Sequence, residues 1–143
     1  MSSHTACEPT YNQIVKELLG QLKDVMARLT SIPVIWPGQI ASKAFPASQT
    51  YAVVGSTLSD ESPISLGADP VYRANALVTL RFMATMQPEE LVKIRNLANA
   101  IKEQWKSKIR TSDITIDAFS ILDTQPEQGR MPVNLSLNYH FYT

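Results

Sequence analysis

The side chains best suited to catalysis or metal binding are scarce in this chain. Its 143 residues include two histidines, His4 and His140, and one cysteine, Cys7. Catalytic triads and metal cages need more such side chains, and a single cysteine excludes an internal disulfide and a CxxC redox motif. For His4 and Cys7, in a polar N-terminus, the interpretations are a two-ligand metal clip, a flexible tail or an arm that grips a neighbour. The composition therefore predicts no bound metal and no cofactor.

Carboxylates are the remaining candidates for acid-base chemistry. Asp117 lies in a predicted strand and nothing pairs with it in the sequence, so it is either a hydrogen-bonded surface group or the carboxylate of a small enzyme. Glu89 and Glu90 open a predicted helix, where negative charge stabilises the positive end of the helix dipole. The motifs GxxxxGK[ST], GxGxxG, HExxH and GxSxG are absent from the sequence. We therefore predict that the protein is not an enzyme.

Basic residues are concentrated between positions 93 and 110, where Glu103 is the one acidic residue. A solvated helix face with cations at its C-terminal end is one interpretation, and a patch that meets an acidic partner or nucleic-acid phosphate is the other. An acidic segment in a second copy of the chain is a candidate partner, because head-to-tail packing in a ring requires two different, complementary surfaces. The candidate interface residues are Asp60, Glu61, Asp69, Lys102, Lys106, Lys108 and Arg110.

The first half of the chain predicts one helix, an extended segment and two strands. Apolar residues recur every three or four positions from Thr10 to Leu29, which is typical of an amphipathic helix with Thr10 as its N-cap. Prolines punctuate the extended segment 32–38, and a short strand follows at 51–55. Residues 56–70 are acidic and contain two prolines, which predicts an exposed loop or a hairpin arm. Strict alternation of apolar and polar residues over 72–82 predicts a long strand.

The second half predicts a helix that begins near Pro88, a strand at 114–119 and a last strand at 133–142. In the last strand the odd-numbered residues are apolar and the even-numbered ones polar. His140 is on the polar side, where we interpret it as a solvated or hydrogen-bonded side chain. We therefore predict a single α+β domain over residues 1–143, with an N-terminal arm at 1–9. Two helices would cover one face of a mainly antiparallel sheet of four to five strands, and the other face would be polar.

The overall charge argues against a global field that recruits nucleic acid or a membrane. Thirteen basic residues balance thirteen acidic ones, and the mean hydropathy is −0.10. The first ten residues contain no secretory signal pattern, and no apolar run has the length of a membrane span. We expect a soluble protein that stays in the cell that makes it. The charged fraction of 18% is low, which indicates that part of the surface is uncharged interface.

The order of these elements resembles a known family. An N-terminal amphipathic helix is followed by the segment Ile-Pro-Val-Ile-Trp-Pro-Gly at 32–38, then by Phe45-Pro46 and a strand that begins at Tyr51. This arrangement, over roughly residues 10–142, resembles the tail terminator (tail completion, minor tail protein U-like) proteins of long-tailed bacteriophages. That family has no catalytic motif to match, so the resemblance carries over an architecture and a role.

The resemblance implies a virion protein, assembled in the host cytoplasm, that forms a homohexameric ring in the tail or neck. Such a ring caps the tail tube, stops its polymerisation and presents a surface to the head-side connector or stopper protein, with the tail sheath as a further partner. DNA would pass through the lumen without sequence-specific binding. The candidate lumen-facing residues are Arg73, Asn75, Thr79, Arg81, Asn134, Ser136, Asn138 and His140; the alternative is an ordinary solvated sheet face. The segment 56–70 would then augment a neighbour's sheet or pack on the tube.

Two other functions are compatible with the same residues. Another ring protein of the phage neck, such as a head-tail joining subunit, shares the expected architecture. A small nucleic-acid-binding α+β module is the alternative from a different class, through the patch between Lys93 and Arg110. The zero net charge and the lack of aromatic residues interleaved with basic ones on a strand weigh against that module.

Overall fold

Two helices and five strands make up the computed structural model, which describes residues 7–39, 45–65, 67, 70–110 and 112–143. In chain order the elements are α1 (Glu8–Leu29), β1 (Val34–Ile35), β2 (Tyr51–Pro63), β3 (Tyr72–Thr85), α2 (Pro88–Lys108), β4 (Thr115–Asp123) and β5 (Arg130–Tyr142). Neither helix is apolar enough to cross a membrane, among the residues that the structure describes.

The strands form one sheet in the order β1-β2-β3-β5-β4. Only β1 pairs in the parallel sense: its residues Val34 and Ile35 lie opposite Ala52 and Val53 of β2. All other neighbouring strands are antiparallel. Both helices pack on the same side of this sheet, in one buried cluster with the inward residues of β2, β3 and β5. The predicted α+β fold, with its mainly antiparallel sheet and two amphipathic helices on one face, is confirmed.

Helix α1 begins at Glu8, two residues before the predicted start. Cys7 is the N-cap, and its side chain makes no capping hydrogen bond. Pro9 fits the first turn because its missing N–H would have no partner there in any case. The prediction of Thr10 as the N-cap was wrong: its hydroxyl lies 3.1 Å from that of Thr143, at the end of the chain. The helix ends before Thr30, whose hydroxyl accepts a hydrogen bond from the backbone of Ile32.

The core is built by the alternation in the strands and by the apolar stripe of each helix. Ile14, Leu18, Leu22 and Val25 of α1 are buried, and α2 adds Ile94, Ala98, Ile101 and Trp105. Trp105 is fully buried, with its ring edge-on to Phe119 of β4 at 5.5 Å between centroids. Burying large apolar side chains of this kind contributes about 1.5–3 kcal/mol each.

Residues 56–63 continue β2 as regular strand and pair with β3 as far as Pro63 and Tyr72. The acidic segment is therefore one arm of a hairpin over these residues, with the backbone of Ile64 hydrogen-bonded to that of Val71 beyond the last strand pair. One bulge interrupts the pairing between Leu58 and Asp60. Asp69, one of the predicted interface residues, lies outside the described residues.

Candidate functional site

The side of the sheet opposite the helices is a broad surface, which we call the open face. All eight candidate lumen residues lie on it, because β3 and β5 pair in a register that keeps their polar residues together. Thr79 is opposite Ser136, Arg81 is opposite Asn134, and Asn75 is opposite His140. The centre of the open face is therefore uncharged: it combines hydroxyl and amide side chains with Leu77, which is opposite Asn138.

A chain of polar contacts crosses four strands at one end of the open face. The amide of Asn75 on β3 donates to Asp60 on β2 at 2.6 Å and accepts a longer bond of 3.4 Å from Nε of Arg73. The guanidinium of Arg73 lies 3.3 Å from Nδ1 of His140 on β5. His140 in turn contacts Asp117 on β4, with Nδ1 at 2.7 Å from Oδ1 and 2.9 Å from Oδ2. We call these five residues the polar ladder.

Asp117 has a partner that its place in the sequence does not reveal. A bulge lies between Ile116 and Ala118, so Asp117 is an extra residue whose side chain is turned toward His140. With Nδ1 that close to a carboxylate, the imidazole donates from Nδ1 and its orientation is set. His140 is buried, at 8% exposure, rather than solvated. Histidine-carboxylate pairs also occur in catalytic triads, but no serine or cysteine is hydrogen-bonded to His140 among the described residues.

Two arginines organise the other end of the open face. Arg81 on β3 forms an ion pair with Glu127, in the turn between β4 and β5. Arg130 begins β5 and is almost buried; its guanidinium donates to the carbonyl oxygens of Pro46 at 2.7 Å, Phe45 at 3.2 Å and Gln49 at 3.3 Å. It also lies over the ring of Tyr51 at 4.9 Å. Sequence analysis did not single out Arg130, because the three carbonyl groups that it binds are more than 80 positions away.

The basic patch is smaller than its sequence indicates. Arg95 pairs with Asp123 of β4, and Arg110 lies 3.8 Å from a carboxylate oxygen of Glu17 on α1. Lys102 lies over the ring of Phe119 at 5.9 Å. Counting charges along the chain missed these partners because they come from other elements. Lys106 and Lys108 are exposed and have no ion pair among the described residues.

The acidic candidates of β2 face opposite sides of the sheet. Asp60 is on the open face, at the end of the polar ladder. Glu61 is on the helix side and lies beside Cys7, at the start of α1. Burial, together with the hydrogen bond and negative charge of Glu61, raises the pKa of the Cys7 thiol to about 12. The thiol is therefore protonated and inert near neutral pH, and it is a packing group rather than a nucleophile.

Metal-binding clusters and enclosed grooves are the remaining features to consider on the part of the chain that the structure describes. No three His, Cys, Asp or Glu side chains converge there in a way that would hold a metal ion. The grooves on this part of the surface are open, and one of them, between α2 and β4, is lined by Arg95, Asn99, Lys102 and Leu122. The features that distinguish the surface are the neutral open face and the outer edges of the sheet.

Comparison with known proteins bears on the fold alone. The sequence matches no model of a protein family and no curated protein sequence. Among 24 matching chains of solved structure, one has a TM-score of 0.50 and 17% sequence identity, and the likeness covers 91% of this chain and 94% of the other. At that identity the similarity is one of architecture, and it extends over nearly the whole length of both chains.

Proposed function

We propose that this chain is a structural, non-enzymatic subunit of a phage tail terminator ring. The ring would be a hexamer in the virion tail or neck that caps the tail tube, stops its polymerisation and joins it to the head-side connector or stopper protein. In a contractile tail the sheath would be a further partner. The number of subunits comes from the resemblance in sequence.

The observation that carries the proposal is the charge pattern of the open face. Its centre is formed by Thr79, Asn134 and Ser136, which are neutral. Of its cations, Arg81 is paired with Glu127, and Arg73 belongs to the polar ladder, which also contains two carboxylates. Arg130 is almost buried against three backbone carbonyl oxygens. DNA binds a surface mainly through uncompensated cations that release counterions from its phosphates. A lumen with this lining would let DNA pass without holding it.

The topology supports a ring. A closed ring of identical subunits needs two different surfaces on each subunit that fit one another. The outer strand on one side of this sheet is β4, and on the other side the short β1 leaves most of β2 at the edge. The two edges are formed by different strands with different sequences, so each subunit carries two non-identical edges.

The nucleic-acid-binding alternative has less support than a count of basic residues suggests, because three of the six have partners within the chain. Lys93, Lys106 and Lys108 remain as its basis. Another ring protein of the phage neck would share the open face and the edges, and it is distinguished by what its ring binds.

The test is the native mass of the purified chain over a wide concentration range, followed by electron microscopy of the same sample with and without tail tubes. We expect a closed ring of about six copies with a central hole, bound at tube ends. A monomer at all concentrations that does not bind tube ends contradicts the proposal. A ring that binds the connector but not the tube identifies another neck protein, and salt-dependent micromolar binding to DNA favours the nucleic-acid module.

A further inference from the structure

The two outer edges of the sheet are free over similar lengths. No described strand pairs with the outer side of β4, which runs for nine residues from Thr115 to Asp123. Strand β1 pairs with β2 only at Ala52 and Val53. Ten residues of β2, from Val54 to Pro63, therefore lie beyond it with no partner strand on that side, among the residues described. The outward N–H and C=O groups of such edges are a template for another strand.

Both free edges lie at the same height in the sheet. Val54 is level with Leu80 and Leu135 and, across the sheet, with Ile121 of β4. Three residues further along β2, Thr57 is level with Ala118 of β4, by way of Leu77 on β3 and Asn138 on β5. A second copy placed beside the first with no shift along the strands would therefore bring the free part of its β2, from Val54 onward, next to β4 from Ile121 back toward Thr115. Leu122 and Asp123 lie level with Val53 and Ala52, which β1 covers. Such a head-to-tail contact builds a ring when its rotation closes on the first copy, and an open filament when it does not.

The directions of β2 and β4, and the faces to which their side chains point, also allow a neighbour's β2 to continue the sheet beside β4. The three antiparallel steps from β2 to β4 make these two strands antiparallel to each other. A neighbour's β2 added to β4 in the same orientation is thus antiparallel to it, as elsewhere in the sheet. Val54 and Ile121 both face the helix side, and Thr57 and Ala118 both face the open side, so the two layers continue across the junction.

The composition of the edges favours pairing. Strand β4 contains no lysine and no proline, the residues that usually protect an exposed edge. Each edge has a bulge near its lower end, at Ser59 and Asp117, and the runs 54–57 and 118–121 above them are regular.

We infer that β4 of one copy pairs in the antiparallel sense with the free edge of β2 of the next copy, with Ala118 opposite Thr57. The partner is a second copy of this chain, and the open faces of successive copies then form one continuous wall. This inference rests on the proposed ring and deepens it by naming the strands, their sense and their register.

Disulfide trapping tests the register directly. The double variant Thr57→Cys/Ala118→Cys places two exposed thiols on the open face, three strand spacings apart in one chain, a separation of about 14 Å that no intramolecular disulfide spans. Across the inferred junction the same two residues are directly opposite, with Cα atoms about 4.5–5.5 Å apart. The control, Thr57→Cys/Leu122→Cys, keeps both thiols on the same face but displaces one by about 13 Å along the strand. The natural Cys7 is buried and is present in every variant.

We expect mild oxidation of Thr57→Cys/Ala118→Cys to give a ladder of covalent oligomers that ends at the ring size, at least about tenfold faster than the control. The parent chain and the two single variants should give no ladder. Rings of the parent chain without trapping of the double variant, or faster trapping of the control pair, overturn the inferred pairing and leave the proposed function standing. A chain that stays monomeric and does not bind tubes overturns both.

Discussion

His140 and Asp117 face each other across the β4–β5 pair, with Nδ1 of the imidazole 2.7 Å from one carboxylate oxygen and 2.9 Å from the other. The contact ties the outer strand of the sheet to its neighbour beside a bulge, where regular pairing is interrupted. It therefore holds β4, the strand that we assign to the junction between copies, in its place.

Replacing Asp117 tests this tie. Asp117→Asn keeps the shape of the side chain and removes its charge, so the buried imidazole loses a charged acceptor. We expect the free energy of unfolding to fall by about 1 kcal/mol, a modest value because the carboxylate is partly exposed. Urea unfolding of the monomer measures the change. The control is Asp113→Asn, because Asp113 is exposed and has no ion pair among the described residues; we expect it to change the free energy of unfolding by less than about 0.5 kcal/mol. An equal loss of stability in both variants would contradict the structural role of the Asp117–His140 contact.

Arg130 should not tolerate lysine. Its planar guanidinium reaches three carbonyl oxygens and lies over Tyr51, and an ammonium group reproduces neither geometry. We expect Arg130→Lys to lower the free energy of unfolding by about 1–3 kcal/mol. The matched control is Arg110→Lys, in a side chain that is 73% exposed, where we expect less than about 0.5 kcal/mol. Equal stability of the two variants in denaturant melts would disprove the anchoring role.

Cys7 should be protected from alkylation in the folded chain. Its thiol pKa is raised from 9.0 to about 12, so the folded state holds the proton more tightly than the unfolded state does. The stability that this contributes is present below pH 9 and is lost as the pH rises from 9 toward 12. We expect iodoacetamide to modify Cys7 far more slowly at pH 8–9 in buffer than in urea. Similar rates in the two conditions would show that the thiol is not buried against Glu61.

The basic end of α2 should contribute to assembly. Lys106 and Lys108 have no ion pair among the described residues, so they are available to meet an acidic segment of a neighbouring copy, and reversing their charge would turn that attraction into repulsion. We expect Lys106→Glu/Lys108→Glu to raise the concentration needed for half-assembly by about tenfold or more, measured by native mass. Lys16→Glu/Lys23→Glu makes the same change in net charge on α1 and serves as the control. Unchanged assembly of the α2 variant would exclude this contact.

Much of the architecture follows from local patterns. The alternation in 72–82 and 133–142 predicted β3, β5 and their polar faces, because a strand turns successive side chains to opposite sides. Apolar residues that recur every three or four positions lie on one face of a helix, and this spacing predicted both helices. Examples are Ile14 and Leu18 in α1, and Ile94 and Trp105 in α2. Bounds were less accurate, and Thr10 was wrong as an N-cap. For the acidic segment 56–70 the sequence left an exposed loop and a hairpin arm open, and β2 runs on to Pro63 as a hairpin arm because β3 supplies its partner.

The sequence by itself therefore determined the helices, the main strands and the polar composition of one sheet face, since these depend on neighbours a few positions apart. Tertiary structure alone decided which polar residues meet. The bulge at Asp117 turns that residue to His140, and Arg95 and Arg110 find carboxylates on other elements. The equal height of the β2 and β4 edges likewise depends on the register of three strand pairs. Contacts between distant positions arise from the packing of whole elements, and no local pattern of residue types contains that information.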